Sequence, residues 1–258
     1  MNPTDDPVLW ELPRQHIGRC VYHFARLPST NDFAAGLAAD PSNAGVVVLA
    51  DEQTSGRGQY GRRWLAPPGS SILISVLLFP PPVLRRPAIL TAWAAVAVCE
   101  TILQATGHQA KIKWPNDVLL HGHKVCGVLI EQGQAVVAGI GLNVNQSAAD
   151  FDAAGLPQAG SLAAATGQTF ETRELARLLI EQLDREYDLL LSGETTTLEA
   201  CWKWRLGLLG RDVIAEDVDG HRFRGRLREV SFAGLDVERD DGSTLRLAPE
   251  RVRSLTKT

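Results

Sequence analysis

Three glycines and three arginines crowd the stretch Asp51–Trp64, and an apolar run closes it on either side. Val46-Val47-Val48-Leu49 leads in, and Ile72 to Phe79 leads out after a Pro-Pro-Gly turn. A glycine- and arginine-rich loop between two buried strands suits an anion. Glycines let backbone approach a phosphate closely and reach positive φ. Successive backbone N–H groups can form an anion-binding nest. Arg57, Arg62 and Arg63 add planar donors that match phosphate or carboxylate. Gly56, Gly58 and Gly61 also satisfy G-x-G-x-x-G, but the dinucleotide reading fails. That fingerprint needs a helix to open at the loop and an acidic residue about 20 positions on. Here Leu65, Ala66, Pro67, Pro68 and Gly69 follow Trp64, which cannot open a helix, and no acidic residue follows until Glu100.

The chain has 258 residues and a formal charge of −4, which argues against a protein built to coat nucleic acid. The length allows one large domain, or a medium one with a small one. No apolar run approaches the roughly 20 residues that span a bilayer, and Pro3, Asp5, Asp6 and Pro7 exclude a signal peptide. No membrane association is expected. Cys20, Cys99, Cys126 and Cys201 are far apart and show no metal spacing. They read as free thiols in a reducing, cytoplasmic setting.

Residues 1–13 read as a loose, Pro-rich leader. Cys20–Leu27 alternates as a strand. Ser29, Thr30, Asn31 and Asp32 offer several N-caps for a helix that must end near Asp40-Pro41. Strands follow at 46–50 and 71–79. Pro87 opens a long Ala-rich helix that Gly107 stops, apolar on nearly every side and so buried. Lys111–Trp114 is a short strand, 118–120 and 124–132 pair across His121-Gly122-His123, and 135–144 is another apolar strand. Residues 145–168 read as loop with a short helix. Thr172 caps an amphipathic helix, and a shorter one runs over 197–206. From Arg211 onward, Asp219-Gly220, Ala233-Gly234 and Asp241-Gly242 punctuate five short strands, a small barrel or open sandwich. Strands and helices occur in runs, so the class is α+β: a mixed β-sheet domain packed with helices, followed by a small β-barrel domain. The divisions fall at 1–13, 14–207 and 208–258.

Other constellations carry candidate chemistry. Lys113-Trp114-Pro115-Asn116-Asp117 is either a site loop at a strand end or an Asx turn. Lys124 is either a solvated edge charge or a phosphate-directed cation, and Gly127 lets something lie flat on its strand. Gly139 and Gly141 suggest close approach by a ligand, and Asn143 reads either as an adenine-reading amide or as part of a bulged core strand. His121 and His123 have no third ligand at metal spacing and read as a polar turn. Arg222, Arg224, Arg226 and Arg228 share one face of a strand, either solvated or a docking surface for an acidic partner.

Taken in order, Ser29-Thr30-Asn31, Gln53 through Trp64, Lys113 through Asp117, Lys124 through Glu131 and Gly139 through Asn145 resemble the biotin–protein ligases, also called biotin–[acetyl-CoA carboxylase] ligases. The resemblance runs from about Leu27 to the C-terminus. It implies two steps: biotin and Mg-ATP give biotinyl-5′-adenylate and pyrophosphate, then a lysine of a biotin carboxyl carrier protein takes the biotin and releases AMP. Carried over residue by residue, Ser29, Thr30, Asn31 and Gln53 bind the biotin head, and Gly56, Arg57 and Gly127 line the biotin. Arg62 serves the closing loop and phosphates, while Trp64 and Asn143 hold adenine and Asn116 the nucleotide side. Lys124 bridges the biotin carboxylate and α-phosphate, and Asp117 orients or deprotonates the incoming lysine. Lys124, Asp117 and Arg57 are thus the catalytic candidates. ATP and biotin are substrates with Mg2+, at a metal position the sequence does not assign. The family loop usually reads Gly-Arg-Gly-Arg-x-Gly-Arg, and here the second arginine is Gln59, which implies looser retention of the adenylate or compensation by Arg63. Only 28 residues precede Ser29, too few for the DNA-binding domain some members carry, so no operator binding is expected. The C-terminal barrel corresponds to the family's SH3-like domain, and the family includes monomers and homodimers. A non-catalytic biotin sensor could dispense with Lys124 and Asp117. A lipoate–protein ligase would share the catalytic fold without this loop and turn.

Overall fold

The computed structural model describes residues 6–258. Two sheets organise them. The larger has eight strands: β1 (Val8–Trp10), β2 (Val21–Leu27), β3 (Val47–Gln53), β4 (Ser71–Leu78), β5 (Lys111–Lys113), β6 (Asp117–Leu120), β7 (His123–Gln132) and β8 (Val136–Asn143). Their spatial order is β1-β2-β3-β4-β8-β7-β6-β5, and only the β2–β3 pair is parallel. The crossover joining that pair carries helix α1 (Thr30–Gly36), shorter than its expected run to Asp40. The expected leader divides. Residues 1–5 lie outside the described residues, while Val8–Trp10 pairs with β2 and buries the Trp10 ring.

Strand parity puts a different core on each face of this sheet. On β4, Ile72, Ile74, Val76 and Leu78 enter the larger core, and Leu77 enters the smaller one beneath α1. On β8, Val136, Ala138, Ile140 and Leu142 enter the larger core and Val137 the smaller. By the two-residue alternation, Ser75 and the trio Gly139, Gly141 and Asn143 lie on the α1 face. The larger core is roofed by α2 (Pro87–Thr106), which packs on α5 (Thr172–Leu191) and α6 (Thr195–Leu206). Contrary to the expectation that no apolar run is long enough, α2 could cross a membrane by length and composition, but most of it is buried in this core. Trp93 is fully buried and donates its indole N–H to the Leu183 carbonyl at 3.1 Å. Asp184 on α5 accepts the backbone N–H groups of Gln15, His16 and Ile17, at 3.0, 2.7 and 2.7 Å, which ties the N-terminal segment down.

Two short helices occupy the expected loop region, α3 (Ala148–Ala153) behind a Ser147/Asp150 capping box and α4 (Leu162–Thr166) capped by Ser161. Thr172 proves to be the first residue of α5, with Glu171 at the N-cap and no side-chain cap. The C-terminal sheet is antiparallel and separate: β9 (Asp212–Asp217), β10 (Arg222–Ser231), β11 (Gly234–Glu238), β12 (Thr244–Leu247) and β13 (Val252–Lys257), in the order β12-β11-β10-β9-β13. On β10 the four alternating arginines are exposed, and Arg222 pairs with Glu216 and Arg228 with Glu238, as on a solvated face.

One irregularity matters for the site. Consecutive β6 residues Val118 and Leu119 pair with Cys126 and Lys124, so Val125 is an extra residue on β7. Val125 and Cys126 both turn into the larger core. The bulge inverts parity and brings Lys124 onto the same face as Gly127, whereas a regular strand would send them to opposite faces.

Candidate active site

Helix α1 begins where β2 leaves the sheet, and its first residues face the end of β3 at Gln53 and the middles of β4 and β8 at Ser75 and Gly139. The Ser29 hydroxyl caps the helix, accepting the Asp32 N–H at 3.2 Å. Thr30 does not cap. Its N–H donates to Gln53 Oε1 at 2.7 Å, and its hydroxyl lies 3.1 Å from that oxygen and 2.7 Å from the Ser75 hydroxyl. Asn31 reaches the sheet because Gly139 has no Cβ; one added there would fall 2.3 Å from Asn31 Oδ1. The Asn31 amide donates to Glu131 at 2.6 Å and meets Ser75 Oγ at 2.5 Å.

The glycine loop folds back as a small hairpin. Gly58 N–H donates to the Arg62 carbonyl at 2.7 Å and Trp64 N–H to the Gly56 carbonyl at 2.9 Å, with Tyr60 and Gly61 at positive φ at its tip. The N–H groups of Gly58 and Trp64 are thus used within the hairpin. Arg57 is held by Asp32 at 2.7 Å and Glu131 at 3.2 Å. The Asp32 hydrogen bond is the main cause that raises the guanidinium's pKa, and the same bond lowers that of the Asp32 carboxyl. Arg63 reaches back to the Thr54 carbonyl at 3.3 Å.

Trp64 lies across the glycine floor. A Cβ on Gly141 would fall 2.5 Å from its ring, and one on Gly127 would fall 3.0 Å away. The glycines of β8 thus each admit a side chain of this chain, Asn31 and Trp64. Gly56 has the same function at the hairpin's base, where a Cβ would meet the Trp64 carbonyl at 2.8 Å. The Trp64 indole nitrogen is buried with no hydrogen-bond partner. Lys124 Nζ lies 5.8 Å from the centroid of that ring and 2.6 Å from Asp117 Oδ1. The Asn116 amide donates to the Val128 carbonyl at 2.6 Å, so the Trp-Pro-Asn-Asp turn is locked to β7, and the Trp114–Pro115 peptide is cis. Asn143 donates to the Gly160 carbonyl at 2.9 Å and accepts from Gln146 at 3.2 Å.

These pieces line one cleft of about 720 Å³, within the range of small-molecule sites. Ser29, Thr30, Asn31, Gln53 and Arg57 lie along it with Gly127, and so do Arg62, Trp64, Asn116, Asp117, Lys124 and Asn143. Gly56 is buried behind them. Asp117 is the one carboxylate among the lining residues described, and it is already paired with Lys124. That is no protein cage for a cation among the lining residues. The His121–His123 pair does not converge: His121 meets His108 at 3.2 Å, and His123 packs over Gly160.

Sequence reasoning missed three contributors. Ser75 was visible as the one hydroxyl inside the apolar run Ile72–Leu78, where a buried polar group must find a partner. Residues 155–159 form a wall held to Lys124 by backbone bonds from Lys124 N–H to the Gln158 carbonyl and from Gly160 N–H to the Lys124 carbonyl. Arg253 and Ser254 reach the cleft from the C-terminal sheet, and nothing local in the sequence signals that.

The model of the biotin/lipoate A/B protein ligase family matches residues 23–145. The chain is 33% identical over 240 residues to the bifunctional ligase/repressor BirA of Bacillus subtilis, covering 90% of this chain and 72% of that protein. It is 35% identical over 209 residues to the biotin–[acetyl-CoA-carboxylase] ligase of Paracoccus denitrificans, covering 74% and 82%. Its fold matches the biotin protein ligase from Aquifex aeolicus in complex with biotin and ATP, with a TM-score of 0.79, 23% identity and coverage of 92% and 99%.

Proposed function

This chain belongs to the biotin–protein ligase family, and from that premise we propose how the cleft works: it activates biotin with Mg-ATP to biotinyl-5′-AMP and passes the biotin to a lysine of a biotin carboxyl carrier protein. The observation that carries the reading is Lys124 Nζ, standing beside the Trp64 ring and bonded to Asp117, in the same cleft as the polar pocket of Thr30 and Gln53. In the first step a carboxylate oxygen of biotin attacks the α-phosphorus, and the bond to pyrophosphate breaks. Two anions must meet, so cations have to neutralise them. Lys124, which lines the same cleft as the head pocket and Trp64, serves both carboxylate and α-phosphate in this reading, with Arg62 toward the departing pyrophosphate. In the second step the carrier amine attacks the acyl carbon, the bond to AMP breaks, and the amine loses a proton. In this reading Asp117, freed once substrate draws Lys124 away, orients that amine and takes the proton.

The test is biotin-dependent pyrophosphate release from Mg-ATP, with lipoate as control. Release with biotin and not with lipoate is expected. Lys124→Ala is expected to lose roughly 10²–10³-fold in rate with an unchanged melting temperature. Release with lipoate alone, or a Lys124→Ala variant at near-normal rate, overturns the reading.

A further inference from the structure

We infer that Ser75, fully buried behind the cleft, sets the hydrogen-bond polarity of the head pocket and so selects a ring that carries N–H; the inference rests on the ligase reading above. The chain of protons can be followed from one end. Asn31 donates its amide N–H to Glu131, which is paired with Arg57. The Asn31 Oδ1 therefore faces Ser75, at 2.5 Å, and only the Ser75 hydroxyl can supply a proton there. With its own proton committed, Ser75 Oγ must accept at its other contact, the Thr30 hydroxyl at 2.7 Å. The Thr30 proton then goes to Ser75 and is not available to Gln53 Oε1 at 3.1 Å. Gln53 Oε1 is fixed in the same sense, because it accepts the Thr30 backbone N–H at 2.7 Å.

The outcome is two oxygens at 3.1 Å, Thr30 Oγ1 and Gln53 Oε1, both with acceptor capacity and no proton between them. Such a pair is completed by an incoming N–H donor. The ureido ring of biotin carries N–H groups, and the dithiolane ring of lipoate carries none. Leaving the acceptors unmatched against a sulfur ring costs their desolvation, so the relay discriminates as well as binds. Parity made the relay possible: Ser75 and Gly139 are cross-strand partners on β4 and β8, and the missing Cβ of Gly139 admits the Asn31 amide.

Ser75 is thus a positioning residue, acting through Thr30. Without its oxygen the Thr30 proton is free to turn to Gln53 Oε1 and close the acceptor pair. Ser75→Ala and the near-isosteric Ser75→Cys, a weak acceptor, are both expected to raise KM for biotin roughly five- to thirtyfold, the equivalent of one hydrogen bond. The kcat at saturating biotin and KM for ATP should stay within about twofold. In a Thr30→Val background Ser75→Ala should add less than about twofold, because residues acting through one contact are not additive. A folded Ser75→Cys with unchanged biotin KM, or the same increment from Ser75→Ala in the Thr30→Val background, overturns the inference while leaving the ligase reading intact. A wild-type protein that neither binds biotin nor releases pyrophosphate with it overturns both.

Discussion

Gln59 occupies the loop position where the family pattern has arginine, and it lines the cleft with a neutral amide. Arg63, the residue expected to compensate, also lines the cleft, and its guanidinium reaches the Thr54 carbonyl at 3.3 Å. An arginine at 59 would add a charge-assisted hydrogen bond to a phosphate, worth about 1.5–3 kcal/mol. Gln59→Arg should therefore slow release of biotinyl-adenylate by roughly tenfold or more, read by filter retention of labelled adenylate; equal release rates would dismiss the idea. The thiols give a second test at this scale. Burial pushes Cys99 up to about 12 and raises Cys126 well above a free thiol. Both stay protonated at pH 8 or so and are shielded, so a thiol reagent should label neither in the folded protein; rapid native labelling of either would contradict their place in the core. Much of the cleft lining was legible, because Lys124, Asp117, Gln53 and Arg57 occur in local motifs. Ser75 and Glu131 were not assigned roles, because their partners come from strands and a helix far away in sequence.

Elements bring those residues together through two devices of unequal visibility. The first is glycine on alternate positions of β8, which sequence reading noticed and attributed to a ligand. The guests are the Trp64 ring and the Asn31 amide, and only the stacked strands reveal it. The second is the bulge at Val125, which leaves no mark in composition: a one-residue register shift looks like ordinary strand sequence, yet it moves Lys124 to the cleft. The glycine floor makes a sharp prediction. Gly141 has no special backbone requirement, so Gly141→Ala can fold, but its methyl would fall 2.5 Å from the Trp64 ring. Overpacking of that kind costs about 1–3 kcal/mol. If it is relieved by expelling Trp64, KM for ATP should rise roughly tenfold with biotin affinity nearly unchanged. Equal losses for both ligands would show that Trp64 is not specific to the nucleotide end.

Across the whole molecule, the C-terminal sheet docks on the catalytic sheet through aromatic rings. Trp114, two residues before Asn116, donates its indole N–H to the Val252 carbonyl at 2.8 Å and packs on Trp202, which stacks on Phe232 at 5.2 Å. Arg86 at the head of α2 meets Glu250 at 2.9 Å and the Phe232 carbonyl at 2.6 Å. The turn that carries Asn116 and Asp117 is thus braced by β13. The next residue on that strand, Arg253, places its guanidinium 4.7 Å from the centroid of the Tyr60 ring at the tip of the glycine loop. Tyr60 is exposed and at positive φ, so little else holds the tip. A cation–π contact at an exposed site is worth about 0.5–1 kcal/mol. Arg253→Ala should then speed hydrogen exchange at the Gly58, Arg62 and Trp64 amides by up to about fivefold. The melting temperature should barely change, because docking rests on Trp114, Trp202 and Phe232. Unaltered exchange at those three amides would mean that the hairpin's own hydrogen bonds suffice, and that the small sheet serves the site only by bracing the Trp-Pro-Asn-Asp turn.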